Sequence, residues 1–84
     1  MIRVLYFARL REQLGTDREE LAPGGGVLTV AEIATRLRAR GSPWQEALDV
    51  RQGVKAAVNQ EMARPETLVY DGDEVAFLPP VTGG

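Results

Sequence analysis

Glu74-Val75-Ala76-Phe77-Leu78-Pro79-Pro80-Val81-Thr82-Gly83-Gly84 closes the sequence, and its reading decides the fold. Glu74 to Leu78 alternates as a strand, with Val75 and Phe77 aimed at a core and Glu74, Ala76 and Leu78 at the opposite face. Asp71-Gly72-Asp73 ahead of it is a turn sequence rather than a metal site. Behind it, Pro79-Pro80 holds the chain extended and out of helix, and β-branched Val81 and Thr82 continue that path. The six residues from Pro79 to Gly84 reach roughly 20 Å when extended. Gly83 and Gly84 have no Cβ, so the tail ends in a thin tip that fits a narrow channel.

Outward from this stretch, Met1 to Ala8 reads as a second strand, β-branched and aromatic. Ile2, Val4, Tyr6 and Ala8 share one face; Arg3, Leu5 and Phe7 share the other, which Arg3 marks as nearer solvent. Arg9 to Leu14 is helical and stops at Gly15. Glu19-Glu20-Leu21 reads as a short edge strand ending in the turn Pro23-Gly24-Gly25-Gly26. Thr29 is an N-cap, with Glu32 completing a capping box, and Val30, Ile33, Ala34 and Leu37 form the apolar stripe of the main helix. Gly41 closes that helix. Trp44 to Leu48 is a short helix with Pro43 at its favoured first position. Val54 to Val58 is a strand, Asn59-Gln60 a tight turn, and Glu61-Met62-Ala63 pairs back before Pro65 breaks the chain.

This order predicts an α+β protein with a mixed sheet wrapped across one main helix, its first and last strands adjacent and parallel. That is the β-grasp, or ubiquitin-like, fold. Residues 1–78 form the domain and residues 79–84 the tail, which leaves from the middle of the sheet. The outer face would carry Leu5, Phe7, Met62, Ala76 and Leu78, an apolar docking patch at the base of the tail. The alternative is that the chain covers this face itself and these are core residues.

Composition narrows the chemistry. The chain has no cysteine and no histidine, which removes the thiol nucleophile, the usual zinc ligands and the side chain best suited to proton transfer at neutral pH. Carboxylates remain, but 84 residues rarely enclose the pocket they would need. Acting alone, the chain is a poor candidate for an enzyme. A net charge of −2 offers no nucleic-acid footprint, and neither a membrane span nor a signal peptide is legible, so a cytoplasmic home is expected. Gly24-Gly25-Gly26 lacks the Lys-Ser/Thr of a phosphate loop. No bound cofactor or metal is expected.

The remaining reactive group is the carboxylate of Gly84. Activation by ATP would make it an acyl-adenylate, and attack by a persulfide would leave a thiocarboxylate. Both the activation and the sulfur must come from other proteins. Lys55 is the single lysine, so other copies offer few amines to an activated Gly84; arginine-rich composition explains this equally well.

Val4-Leu5-Tyr6-Phe7-Ala8 with Leu10-Arg11-Glu12, then Ala56-Ala57-Val58-Asn59-Gln60, then Asp71 through Gly84 together resemble the small subunits of molybdopterin synthase, ubiquitin-like sulfur carriers of molybdenum cofactor biosynthesis. The resemblance spans nearly the whole chain and is most specific at its end. It implies that an adenylating enzyme related to those for ubiquitin activates Gly84 with ATP, and that a sulfurtransferase converts it to a thiocarboxylate. The tail would then enter the large catalytic subunit and give sulfur to cyclic pyranopterin monophosphate, in a heterotetramer of two small and two large subunits. Gly84 would bear the sulfur and Gly83 would slim the tail. Phe7, Met62 and Leu78 match interface positions, and Pro79, Pro80, Val81 and Thr82 belong to the inserted tail. Arg11 falls in a matching motif that implies a salt bridge to the partner, a surface arginine without that role being the alternative. The rival readings are a carrier for thiamine or tRNA thiolation, a protein modifier conjugated through Gly84, and an interaction module with an inert tail.

Overall fold

Alternation places the first and last strands, and pairing makes them neighbours. The computed structural model describes residues 1–80. In it β1 (Ile2–Tyr6) and β7 (Glu74–Leu78) run parallel, in register from Arg3 opposite Glu74 to Tyr6 opposite Phe77. Beside β1 lies β2 (Arg18–Leu21), and beside β7 lie β4 (Lys55–Val58) and then β5 (Glu61–Ala63), all three joined antiparallel. The sheet order is β2-β1-β7-β4-β5, so β7 is the central strand. This is the β-grasp arrangement expected from the sequence. The edge strands are short, and β2 carries Arg18, Glu19 and Glu20, charges that discourage a further strand from adding.

The main helix, α2 (Val30–Arg38), follows Thr29 as anticipated. The Glu32 N–H donates to Thr29 Oγ1 at 3.1 Å, and the Thr29 N–H donates to Glu32 Oε1 at 3.0 Å. Two further N–H groups of its first turn, from Val30 and Ala31, find the carbonyls of Thr67 and Pro65, so the helix start leaves few orphan donors. Ile33 and Leu37 are fully buried in one cluster with Ile2, Val4, Tyr6, Val75 and Phe77. The helix therefore covers a single face of the sheet. No helix among the described residues is long and apolar enough to cross a membrane.

Several local features depart from the sequence reading. The first strand stops at Tyr6 rather than Ala8. Ala8 sits at φ 53°, exposed rather than on the core face, as the chain turns into α1 (Arg9–Leu14), whose Leu10 is buried. A second sheet of two strands, β3 (Leu28–Thr29) and β6 (Leu68–Val69), was not legible, because two residues are too few to display alternation. The short helix α3 (Trp44–Ala47) has Pro43 at its N-cap, one residue before the position expected. A 3₁₀ turn at Val50–Gln52 follows it and closes at Gly53, φ 67°. Asp71-Gly72-Asp73 is a turn: Gly72 has φ 92°, and the Asp73 carboxylate accepts from the Tyr70 N–H at 2.8 Å and from Asn59 Nδ2 at 3.1 Å.

One end of the core is sealed by a polar network. The Tyr6 ring stacks on Phe77 with centroids 6.3 Å apart, and its hydroxyl donates to Glu19 Oε2 at 2.7 Å. Arg40 grips both Glu19 oxygens, at 2.7 and 2.9 Å, and its guanidinium lies 4.9 Å from the centre of the Trp44 ring. Burial pushes the Glu19 carboxyl up, but hydrogen bonds from Arg40 and Tyr6, with the Arg40 charge, outweigh it and hold the group below its ordinary range. Burial and the bond to Glu19 push the Tyr6 phenol up. A carboxyl depressed in the folded state stabilises above its unfolded pKa of about 4.3, and that contribution disappears as pH falls through the lower folded value. Glu19→Gln is therefore expected to melt below the parent protein at pH 7, with the gap closing as the pH is lowered past ~4. Melting curves across that range check it, and a gap independent of pH would contradict the assignment.

Candidate functional site

The outer face of the sheet, opposite α2, is built from cross-strand rows. Leu5 on β1 faces Ala76 on β7, Ala76 faces Ala57 on β4, and Ala57 faces Met62 on β5. Paired residues on neighbouring strands point to the same side of a sheet, so these four form one apolar band. A second row lies nearer the tail. Leu78 pairs with Lys55, and the Phe7 N–H donates to the Phe77 carbonyl at 3.1 Å, which sets Phe7 alongside Leu78.

Exposure separates the roles within these rows. Phe7 is 44% exposed and Met62 69%, far more than large apolar side chains in a core. Leu5 and Leu78 are half-buried. Ala76 faces outward as expected but is only 6% exposed, and Ala57 resembles it. The two small side chains lie side by side with a larger one beyond each, so the band has a shallow floor of alanine between walls of Leu5 and Met62. The Phe7, Leu78 and Met62 of the sequence reading are thus brought onto one face. Phe7 and Leu78 adjoin, while Met62 stands at the β5 edge.

The tail begins at this face. Pro79 and Pro80 directly follow the central strand and are half-buried. Pro80 lies over the Gly53 turn, where a Cβ built on Gly53 would come to 3.7 Å from the Pro80 ring. Val81, Thr82, Gly83 and Gly84 lie outside the described residues. Arg11 is exposed on α1, which starts just past the tail end of β1, and it pairs with no carboxylate among the described residues.

Sequence reasoning missed Lys55 and Ala57 as members of this face. Lys55-Ala56-Ala57-Val58 is short and has alanine on both sides, so the register with β7 assigns them. Chemically the face offers apolar surface, the Lys55 ammonium beside Leu78 and a stiff exit for a peptide. Among the described residues no group of acidic side chains is placed to hold a metal ion.

Residues 4–84 match the ThiS family. The chain is 44% identical, over 84 residues and the full length of both proteins, to the molybdopterin synthase sulfur carrier subunit of Escherichia coli (strain K12). Its backbone resembles the small archaeal modifier protein 1 of Methanosarcina acetivorans with a TM-score of 0.75, at 28% identity over 99% of this chain and 95% of that one. It also resembles a putative molybdopterin converting factor, subunit 1, from Pyrococcus furiosus, with a TM-score of 0.72 and 30% identity over 95% of this chain and 97% of that one.

Proposed function

The chain belongs to the ThiS family, and from that premise we propose that it is the sulfur carrier subunit of a molybdopterin synthase. The observation that carries this reading is the 44% identity to such a subunit over the whole of both chains. The geometry supports it: an apolar face and a proline-stiffened exit lie together at the end of the central strand.

The chemistry falls to Gly84. Its carboxylate attacks the α-phosphorus of ATP on an adenylating enzyme, and pyrophosphate leaves. A sulfurtransferase persulfide attacks the acyl-adenylate and displaces AMP, and a thiol cleaves the resulting sulfur–sulfur bond to free the thiocarboxylate. The tail then inserts into the large synthase subunit. There the thiocarboxylate sulfur bonds to a carbon of cyclic pyranopterin monophosphate as an oxygen substituent leaves, and water cleaves the acyl–sulfur bond to return Gly84 to its carboxylate. Gly83 keeps the tip narrow, while Pro79, Pro80, Val81 and Thr82 span the approach. Phe7, Leu78 and Met62 dock, and Arg11 meets a partner carboxylate. Two copies serve two large subunits. The chain itself is the sulfur-donating, non-catalytic subunit in this reading, and without cysteine it holds no persulfide of its own.

The likeness to an archaeal small modifier protein favours a second reading, conjugation through Gly84 to lysines of other proteins. Intact-mass measurement after incubation with ATP, the adenylating enzyme and a sulfur donor separates the two. Replacement of one oxygen by sulfur at Gly84 is expected. No exchange in folded protein would overturn the carrier reading, and isopeptide-linked adducts would favour the modifier.

A further inference from the structure

We infer that Lys55 is a specificity-determining residue of the docking face, and that the protein surface covering this face presents a carboxylate to its ammonium. The inference rests on the docking role proposed for that face. Lys55 pairs directly with Leu78, which places their Cα atoms about 5 Å apart and puts the ammonium stem against the side chain next to the tail exit. Lys55 is exposed and forms no ion pair among the described residues.

Among the described residues, the carboxylates of Glu74 and Asp49 are already taken by other partners. Glu74 shares the outer side of β7 with Leu78 but lies four residues earlier, about 13 Å along the strand, and pairs with Arg3 at 3.7 Å. Asp49 is held by Arg51 at 2.8 Å. Arg11, exposed on α1, follows Phe7 by four residues, so Lys55 is joined by a second exposed cation close in sequence to this face in a chain of net charge −2. Covering such a face with apolar surface alone would strand an ammonium out of water, which is costly. A partner carboxylate removes that cost and fixes one docking register, because a displaced or wrong partner leaves the charge unmatched.

The single lysine makes the test clean. In the complex of the full chain with the large synthase subunit, a carbodiimide coupling reagent joins amines to carboxylates they touch, with loss of water to the reagent. The only other amine, the N-terminus, already pairs with Asp71. An amide from Lys55 Nζ to a single partner Asp or Glu is expected. Lys55→Glu is expected to weaken binding by about tenfold or more at low salt, with a smaller loss at high salt. Lys55→Gln, which removes the charge without reversing it, should fall between. Changing the cross-linked partner carboxylate to lysine should restore binding to Lys55→Glu. Phe7→Asp is the control, expected to weaken docking at every salt concentration. Absence of the cross-link, or unchanged affinity in both Lys55 variants, overturns the inference. If Phe7→Asp still disrupts binding in that case, the docking face stands without Lys55; if it too is silent, the docking face itself is wrong.

Discussion

Removal of Gly84 is expected to abolish sulfur loading and dithiolene formation while leaving the melting temperature and affinity for the large subunit nearly unchanged. The separation follows from where the parts lie. The core cluster and both apolar rows are complete within residues 1–80, so folding and docking draw on other residues. Loss of Gly84 moves the carboxylate back by one residue, about 3.5 Å. Displacements smaller than this disable positioned chemistry, since reacting atoms must approach to ~3–3.5 Å. Melting curves, binding and intact mass on one preparation check all three arms. A truncated chain that still acquired sulfur would show that Gly84 is not the acceptor.

Phe77→Ala is expected to have the largest effect on stability. The ring is 3% exposed, belongs to the central strand and stacks on Tyr6. Emptying a buried phenylalanine site costs about 3–5 kcal/mol, a large share of the ~5–15 kcal/mol that holds a domain together. In a domain of this size the melting temperature should drop by roughly 12–40 °C. Glu19 and Trp44, which both bond the Tyr6 hydroxyl, would lose the support of the stacked ring. A drop of only a few degrees would mean that α2 collapses into the space and that the Tyr6–Phe77 stack is not central to the core.

Most of the architecture could be read from local pattern because its main elements carry strong local signals. β7 alternates cleanly, Thr29 and Glu32 announce α2, and Gly15 and Gly72 sit at turns with positive φ. What escaped was decided by contacts distant in sequence. The β3–β6 pair joins residues about forty positions apart through two-residue strands. Ala8 left the strand because the chain had to enter α1, although its alternation with Tyr6 was intact. The burial of Ala76 depends on Leu5 and Ala57 standing on either side of it. Lys55 could be weighed only as an amine until its pairing with Leu78 gave it a neighbourhood. The candidate site follows the same division: Phe7 and Leu78 were legible from period-two alternation and the expected parallel pairing of the first and last strands, whereas their register, and Lys55 opposite Leu78, needed the ladders.

The parallel ladder also decides how the molecule bears load. The N-terminus enters β1 at one end of the sheet, and the tail leaves β7 at the other. A pull between the N-terminus and the far end of β7 drags the two strands past each other along their length. The rungs from Arg3–Glu74 to Tyr6–Phe77 then share the force at once instead of opening in turn, as they would if peeled from one end. With β4 bonded to the other side of β7, the strand that leads into the tail is clamped on both flanks. A pull on the end of β7 is thus spread across the ladders instead of unravelling the sheet from one edge.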